Sequence, residues 1–160
     1  MGQRKSSLLR LAAFALVLSL GVHAGYAAEP PDNVADALKE AAQYCKDLGG
    51  TPNTDAVLSV DDLNKDGGED WLVDYVKMKC EGADNPLCGT GGCTLQLYFW
   101  DGATSWDLVF EDLVQKYKFG KKNGKPTMTV TTSGDPCNKP SAETCLYVYR
   151  LEQDEVVPVE

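Results

Sequence analysis

The chain has 160 residues, 43% of them hydrophobic, with 24 acids against 15 lysines and arginines and a formal charge of −9. That balance argues against nucleic acid and anionic membrane surfaces, which need basic patches, and favours cations or a basic partner. The cations are also unevenly placed. Met1-Gly2-Gln3-Arg4-Lys5 with Arg10, the uncharged apolar run 11–22 and the small residues of 24–28 read as a cleavable signal peptide over 1–27. The apolar run is too short for a bilayer span. Cleavage after Ala27 would leave 28–160 as a single exported domain, periplasmic or secreted, free of the membrane and monomeric. It would also remove Arg4, Lys5, Arg10 and the sole histidine, His23, leaving 12 basic and 24 acidic residues, a charge near −12 and no imidazole. Ser-His and Cys-His catalysis and histidine-ligated zinc are thereby excluded.

After an extended lead-in, Asp32 or Asn33 is placed to cap a helix whose apolar residues Val34, Ala37, Leu38, Ala41, Ala42 and Cys45 fall at helical spacing. Gly49-Gly50 ends it. The remainder alternates as strands do. A short strand over 56–60 leads into an aspartate-rich loop, and 71–79 follows with no single apolar face. Residues 93–100 put Leu95, Leu97 and Phe99 on one side, with Thr94, Gln96, Tyr98 and Trp100 on the other. Asp101-Gly102 and Asn123-Gly124 are hairpin signals, joining 93–100 to 106–110 and 114–119 to 126–132. Strands over 146–151 and 156–159 close the chain. The expected fold is α+β: an N-terminal helix packed on an antiparallel β meander, an open twisted sheet or partial barrel.

Six cysteines, Cys45, Cys80, Cys88, Cys93, Cys137 and Cys145, are an even set in an exported chain and read as three disulfides. Proximity argues for Cys88–Cys93 around Gly89-Thr90-Gly91-Gly92 and for Cys137–Cys145 around a loop. Cys45–Cys80 would then tie the helix to a strand.

Asp62-Leu63-Asn64-Lys65-Asp66-Gly67-Gly68-Glu69-Asp70 carries the clearest chemistry. Side-chain oxygens stand at loop positions 1, 3, 5 and 9, a glycine at 6, and the Gly68 carbonyl at 7. Alternate residues can turn Asp62, Asn64, Asp66 and Asp70 inward, and a hard cation wants such oxygens, with three carboxylates offsetting its charge. Position 12 is Val73 and not the bidentate glutamate of an EF-hand. A self-bonded Asp/Asn/Gly turn without an ion is the competing reading.

Residues 62–73 resemble the β-loop-β calcium loop of FG-GAP and VCBS-type repeats, DxNxDGxxD followed by apolar strand residues. The resemblance implies Ca²⁺ ligation by Asp62, Asn64, Asp66 and Asp70, as a structural ion. More broadly, the chain resembles a class of small uncharacterised exported bacterial proteins. They share a cysteine-bearing helix ending in Gly-Gly, an Asp-Asn-Asp-Gly loop, Cys-Gly-x-Gly-Gly-Cys and a distal cysteine pair, and they carry no known activity.

Other features have plainer explanations. The glycines of 89–92 could form an anion-binding nest or merely a disulfide-closed turn. Lys116, Lys118, Lys121, Lys122 and Lys125 could dock an acidic ligand or protect a sheet edge. Trp71, Trp100, Trp106 and nearby tyrosines could form a carbohydrate face or pack in the sheet. The leading expectation is a non-enzymatic exported binding domain with a structural calcium loop, its partner an unknown protein or small ligand. An inhibitor of a basic hydrolase such as a lysozyme is the alternative, and a carboxylate- or metal-dependent hydrolase using Asp66 and Asp70 the third.

Overall fold

A computed structural model describes residues 29–140 and 142–159; the leader read over 1–27 lies outside the described residues. Helix α1 (Asp32–Asp47) is preceded by Pro31, which occupies the cap position without a side-chain cap bond. Asp32 is therefore the first helical residue rather than the cap, and its charge complements the positive end of the helix. At the other end Gly50 N–H bonds Cys45 O and Gly49 N–H bonds Lys46 O, both at 2.9 Å. Gly49 has φ +81°, the left-handed residue such a helix stop uses.

Eleven strands follow among the described residues: β1 (Thr51–Asn53), β2 (Leu58–Asp61), β3 (Asp70–Asp74), β4 (Lys79–Glu81), β5 (Cys88–Gly89), β6 (Gly92–Trp100), β7 (Trp106–Val114), β8 (Lys116–Lys122), β9 (Lys125–Ser133), β10 (Thr144–Leu151) and β11 (Val156–Pro158). All their pairings are antiparallel. The first main sheet runs β2-β3-β6, with β7 on the far side of β6 and β5 beside its opening residues. The second runs β11-β10-β9-β8, and β1 pairs with β4 in a small ribbon. Both main sheets stay open, so the α+β meander holds and the partial-barrel variant does not.

The first sheet lies between two apolar layers. On one side Trp71, Val73 and Tyr98 share a core with Val34, Ala41 and Cys45 of α1. On the other, Leu72, Leu95, Leu97, Phe99 and Val114 pack against Met128, Val130 and Leu151 of the second sheet. Phe110 meets Tyr149 edge to face across that gap, with ring centroids 5.4 Å apart. This resolves the ambiguous pattern over 71–79. Every residue of β3 is buried because both its faces are covered.

The expected strand also ends earlier, at Asp74, whose Oδ1 accepts from Val76 N–H and starts a short 3₁₀ turn over Tyr75–Lys77. The chain changes sheets at Gln115, between β7 and β8, where Gln115 N–H bonds Thr131 O at 2.8 Å. Such corners are how a strand passes from one layer to the next. Gly92 lies against this corner; a Cβ there would sit 2.4 Å from the Val114 carbonyl.

The disulfides are Cys45–Cys80, Cys88–Cys93 and Cys137–Cys145, as proximity argued. Cys45–Cys80 ties α1 to the β1-β4 ribbon, and Cys88–Cys93 joins directly opposed residues of β5 and β6. With no free cysteine among the described residues, the chain suits an oxidising, non-cytoplasmic setting. No helix among the described residues is long and apolar enough to cross a membrane.

Candidate functional site: the Asp62–Asp70 loop

The loop joins β2 to β3, and its turn needs Lys65 at φ +66° and Gly67 at +97°. Its side chains divide into two roles. Asp66 Oδ1 accepts from Gly68 N–H at 2.7 Å, while its Oδ2 accepts from Asn64 Nδ2 at 3.0 Å. Asn64 is buried; its Oδ1 accepts from Asp66 N–H, and its Nδ2 also donates to Gln153 O at 3.0 Å. That last bond ties the loop to the β10–β11 turn of the second sheet.

Asp70 is turned beneath the loop. Its Oδ2 accepts from Leu63 N–H at 2.8 Å and Asn64 N–H at 3.3 Å, and its Oδ1 from Trp100 N–H at 3.2 Å. The residue is fully buried, and burial pushes its carboxyl up to about 6, helped by the charge of Asp66 and opposed by the three backbone bonds. Gly68 is buried against Trp100, whose ring carbon would lie 2.5 Å from any Cβ at that position.

Asp62 stands apart. Its Oδ2 accepts from Gly67 N–H at 3.3 Å, but its Oδ1 is buried with no hydrogen-bond partner. A buried carboxylate oxygen without a donor is costly in a native structure and asks for a counter-charge. Among the five residues read as ligands, the structure thus brings Asp62, Asn64, Asp66 and Gly68 around one turn and sets Asp70 under it as an anchor. Among the described residues no three His, Cys, Asp or Glu side chains converge on one metal position. A cation here would accordingly draw on the Asn64 amide oxygen or backbone oxygens besides carboxylates, which suits a hard ion.

Two further polar groups were not legible in the sequence. Asp74, buried, accepts from the Tyr117 hydroxyl at 2.7 Å and sits 3.4 Å from Lys77 Nζ. Burial, then the bond to Asp74, raises the Tyr117 hydroxyl above its ordinary range. Gln96 Oε1 accepts from both the Tyr75 and Tyr98 hydroxyls at 3.2 Å, and its amide donates to Glu111. Both are cross-strand assemblies with no local motif. The tryptophans do not form an open face: Trp71 is in the core, Trp100 covers Gly68, and Trp106 Nε1 donates to Glu69 O at 2.6 Å. Compared with protein-family models, with curated proteins and with solved structures, the chain matches none.

Proposed function

We propose that this chain is an exported binding domain, periplasmic or secreted, with no catalytic chemistry of its own and with a structural Ca²⁺ ion in the Asp62–Asp70 loop. The buried, unpartnered Asp62 Oδ1 carries the calcium reading. Asp62, Asp66 and Asn64 would hold the ion, and Asp70 would keep the loop in place from below. When bound, the ion supplies positive charge to a turn rich in carboxylates. The resemblance of residues 62–73 to the FG-GAP and VCBS-type loop supports the same assignment.

The binding reading rests on how the polar groups are used. Asp70 and Asp74 are spent on backbone N–H groups and a tyrosine hydroxyl, and the one histidine of the chain is His23. The partner is an unknown protein or small ligand, and neither nucleic acid nor membrane suits the charge. Thermal unfolding with and without calcium tests the ion. At 10 mM Ca²⁺ and an affinity of about 10⁻⁴–10⁻³ M, the domain gains about 1.5–3 kcal/mol, or roughly 5–10 °C in Tm. An unchanged Tm at that concentration would overturn the calcium assignment.

A further inference from the structure

The outer face of the second sheet gathers cations that neither the core nor the Asp62–Asp70 loop uses. Directly opposed residues of an antiparallel pair share a face. Lys122 is opposite Lys125, Gly120 is opposite Thr127, and Thr127 is opposite Arg150. All five therefore lie on the face away from Met128 and Val130, which are in the core. Lys122, Asn123, Lys125, Thr127, Arg150 and Val159 line a cavity of about 200 Å³ there.

Edge protection does not account for this arrangement. It explains lysines on β8, the outermost strand. Lys125 and Arg150, however, belong to β9 and β10, which have strands on both sides. Like charges directly opposite one another are destabilising, so the Lys122–Lys125 pair costs stability unless something negative lies between. Neither lysine takes part in an ion pair of the described residues. Arg150 bonds Glu152 through Nε, and its two terminal nitrogens have no partner among the described residues.

Gly120, on the same face, lines the neighbouring cavity, which shares Thr127 with this one and also holds Asp62 and Lys121. Its φ lies outside the left-handed region, and a Cβ there would meet only Thr127 Oγ1, at 3.8 Å. Neither backbone conformation nor crowding requires glycine. Its effect is to leave open the side of Thr127, the residue common to both cavities, that a larger side chain would cover.

We propose that this cavity binds a tetrahedral oxyanion, a phosphate or sulfate group, free or as a monoester on a larger molecule. Lys122 and Lys125 act as point charges, the terminal nitrogens of Arg150 offer a planar fork, and the Thr127 hydroxyl donates from the floor. This rests on the binding-domain reading and uses no residue of the calcium loop as a ligand.

The test uses residues 28–160 with disulfides intact, in calcium-free buffer at constant ionic strength, followed by amide NMR. Inorganic phosphate, inorganic sulfate and glycerol 3-phosphate are titrated, with acetate as the control. Saturable shifts confined to residues 120–127 and 150 are expected for the tetrahedral anions and none for acetate. Arg150→Gln and Lys125→Gln should each weaken binding about fivefold or more. Gly120→Val should abolish it with Tm unchanged, whereas Lys116→Gln, the same charge change about two turns of the pleat away, should cost less than about twofold.

Glycerol 3-phosphate binding as tightly as phosphate would place the group on a larger molecule; much weaker binding would assign the free anion. Equal shifts with acetate, equal loss in Lys116→Gln, or normal binding by Gly120→Val would each overturn the proposal. Asp66→Ala should bind phosphate like the parent, so failure here and failure of the calcium test are distinguishable.

Discussion

Two turns of this molecule solve opposite electrostatic problems. The Asp62–Asp70 loop collects acids and neutralises most of them internally, with carboxylates accepting from backbone N–H groups of the loop itself and of Trp100. The Lys122–Lys125 hairpin collects cations and gives them no acceptor among the described residues; the β8–β9 ladder and its own backbone hold it, with Asn123 at φ +54° and Gly124 at +79°. Side-chain charge in the first is part of the scaffold. In the second it faces outward and is available to a ligand. Removing charge should therefore damage the fold in one turn and the binding in the other.

The largest expected effect is at Asp70. Asp70→Ala leaves three backbone N–H groups without their acceptor in a fully buried position. At about 1–3 kcal/mol for each orphaned group, partly relieved by water, a loss of roughly 3–5 kcal/mol is expected, or a Tm lower by more than about 10 °C. Chemical denaturation of the two proteins checks this. A loss below about 1 kcal/mol would show that the loop stands without its anchor and would erase the contrast between the turns.

Calcium sharpens the contrast at the next level. Asp66→Ala should lose the calcium-dependent rise in Tm while Lys122→Gln retains it in full. Without calcium, Asp66→Ala removes only the acceptor for Gly68 N–H and Asn64 Nδ2, at a half-exposed site, so about 1 kcal/mol is expected. Differential scanning calorimetry at zero and 10 mM Ca²⁺ separates the two terms. A calcium response that survives in Asp66→Ala would move the ion elsewhere.

What was legible in the sequence follows the same division between local and distant causes. The helix stop at Gly49-Gly50, the Asn123-Gly124 hairpin and the Cys88–Cys93 and Cys137–Cys145 pairs depend on neighbours within a few residues, and each stands where its local signal put it. The helix start was displaced by one residue because Pro31 supplies the extended conformation that a capping side chain usually accompanies. The β1–β4 ribbon, the corner at Gln115 and the double burial of β3 depend on partners far along the chain. Asp70 illustrates the limit best. Spacing marks it as a ligand equal to Asp62 and Asp66, yet one of its oxygens is held by Leu63 and Asn64 N–H within the loop and the other by Trp100 N–H, 30 residues away. The cavity at Lys122, Lys125 and Arg150 is half visible in the sequence: the lysines form a run, but only the register brings in Thr127 and Arg150.

A smaller effect tests the backbone side of the comparison. Gly124→Ala places a Cβ on a residue at φ +79°, with nothing within 4 Å to clash. The cost is then conformational alone, about 1 kcal/mol and about 3–4 °C in Tm. The calcium response should be untouched. A loss several times larger would mean that the hairpin, like the Asp62–Asp70 loop, is held by interactions beyond its own backbone.

The smallest effect belongs to a third turn, the β6–β7 hairpin, which uses a carboxylate as the aspartate loop does but in full contact with water. Asp101 accepts from the Ser105 hydroxyl at 2.7 Å and from the N–H groups of Ala103, Thr104 and Ser105 at 2.8–3.0 Å. The Ser105 hydroxyl, then the backbone donors, hold its carboxyl well below the usual range. A folded value below the unfolded one means that the charged form is favoured by folding. Its contribution is thus complete above the unfolded value of about 4 and is lost as the pH falls below it. Asp101→Asn should flatten the acid side of the stability curve below about pH 4 and leave stability at pH 7 only slightly reduced. Denaturant midpoints at pH 7, 4 and 2.5 for both proteins measure this. If parent and variant fall in parallel through that window, the carboxylate of this exposed turn contributes nothing, and charge acts as scaffold only where, as at Asp70, it is buried.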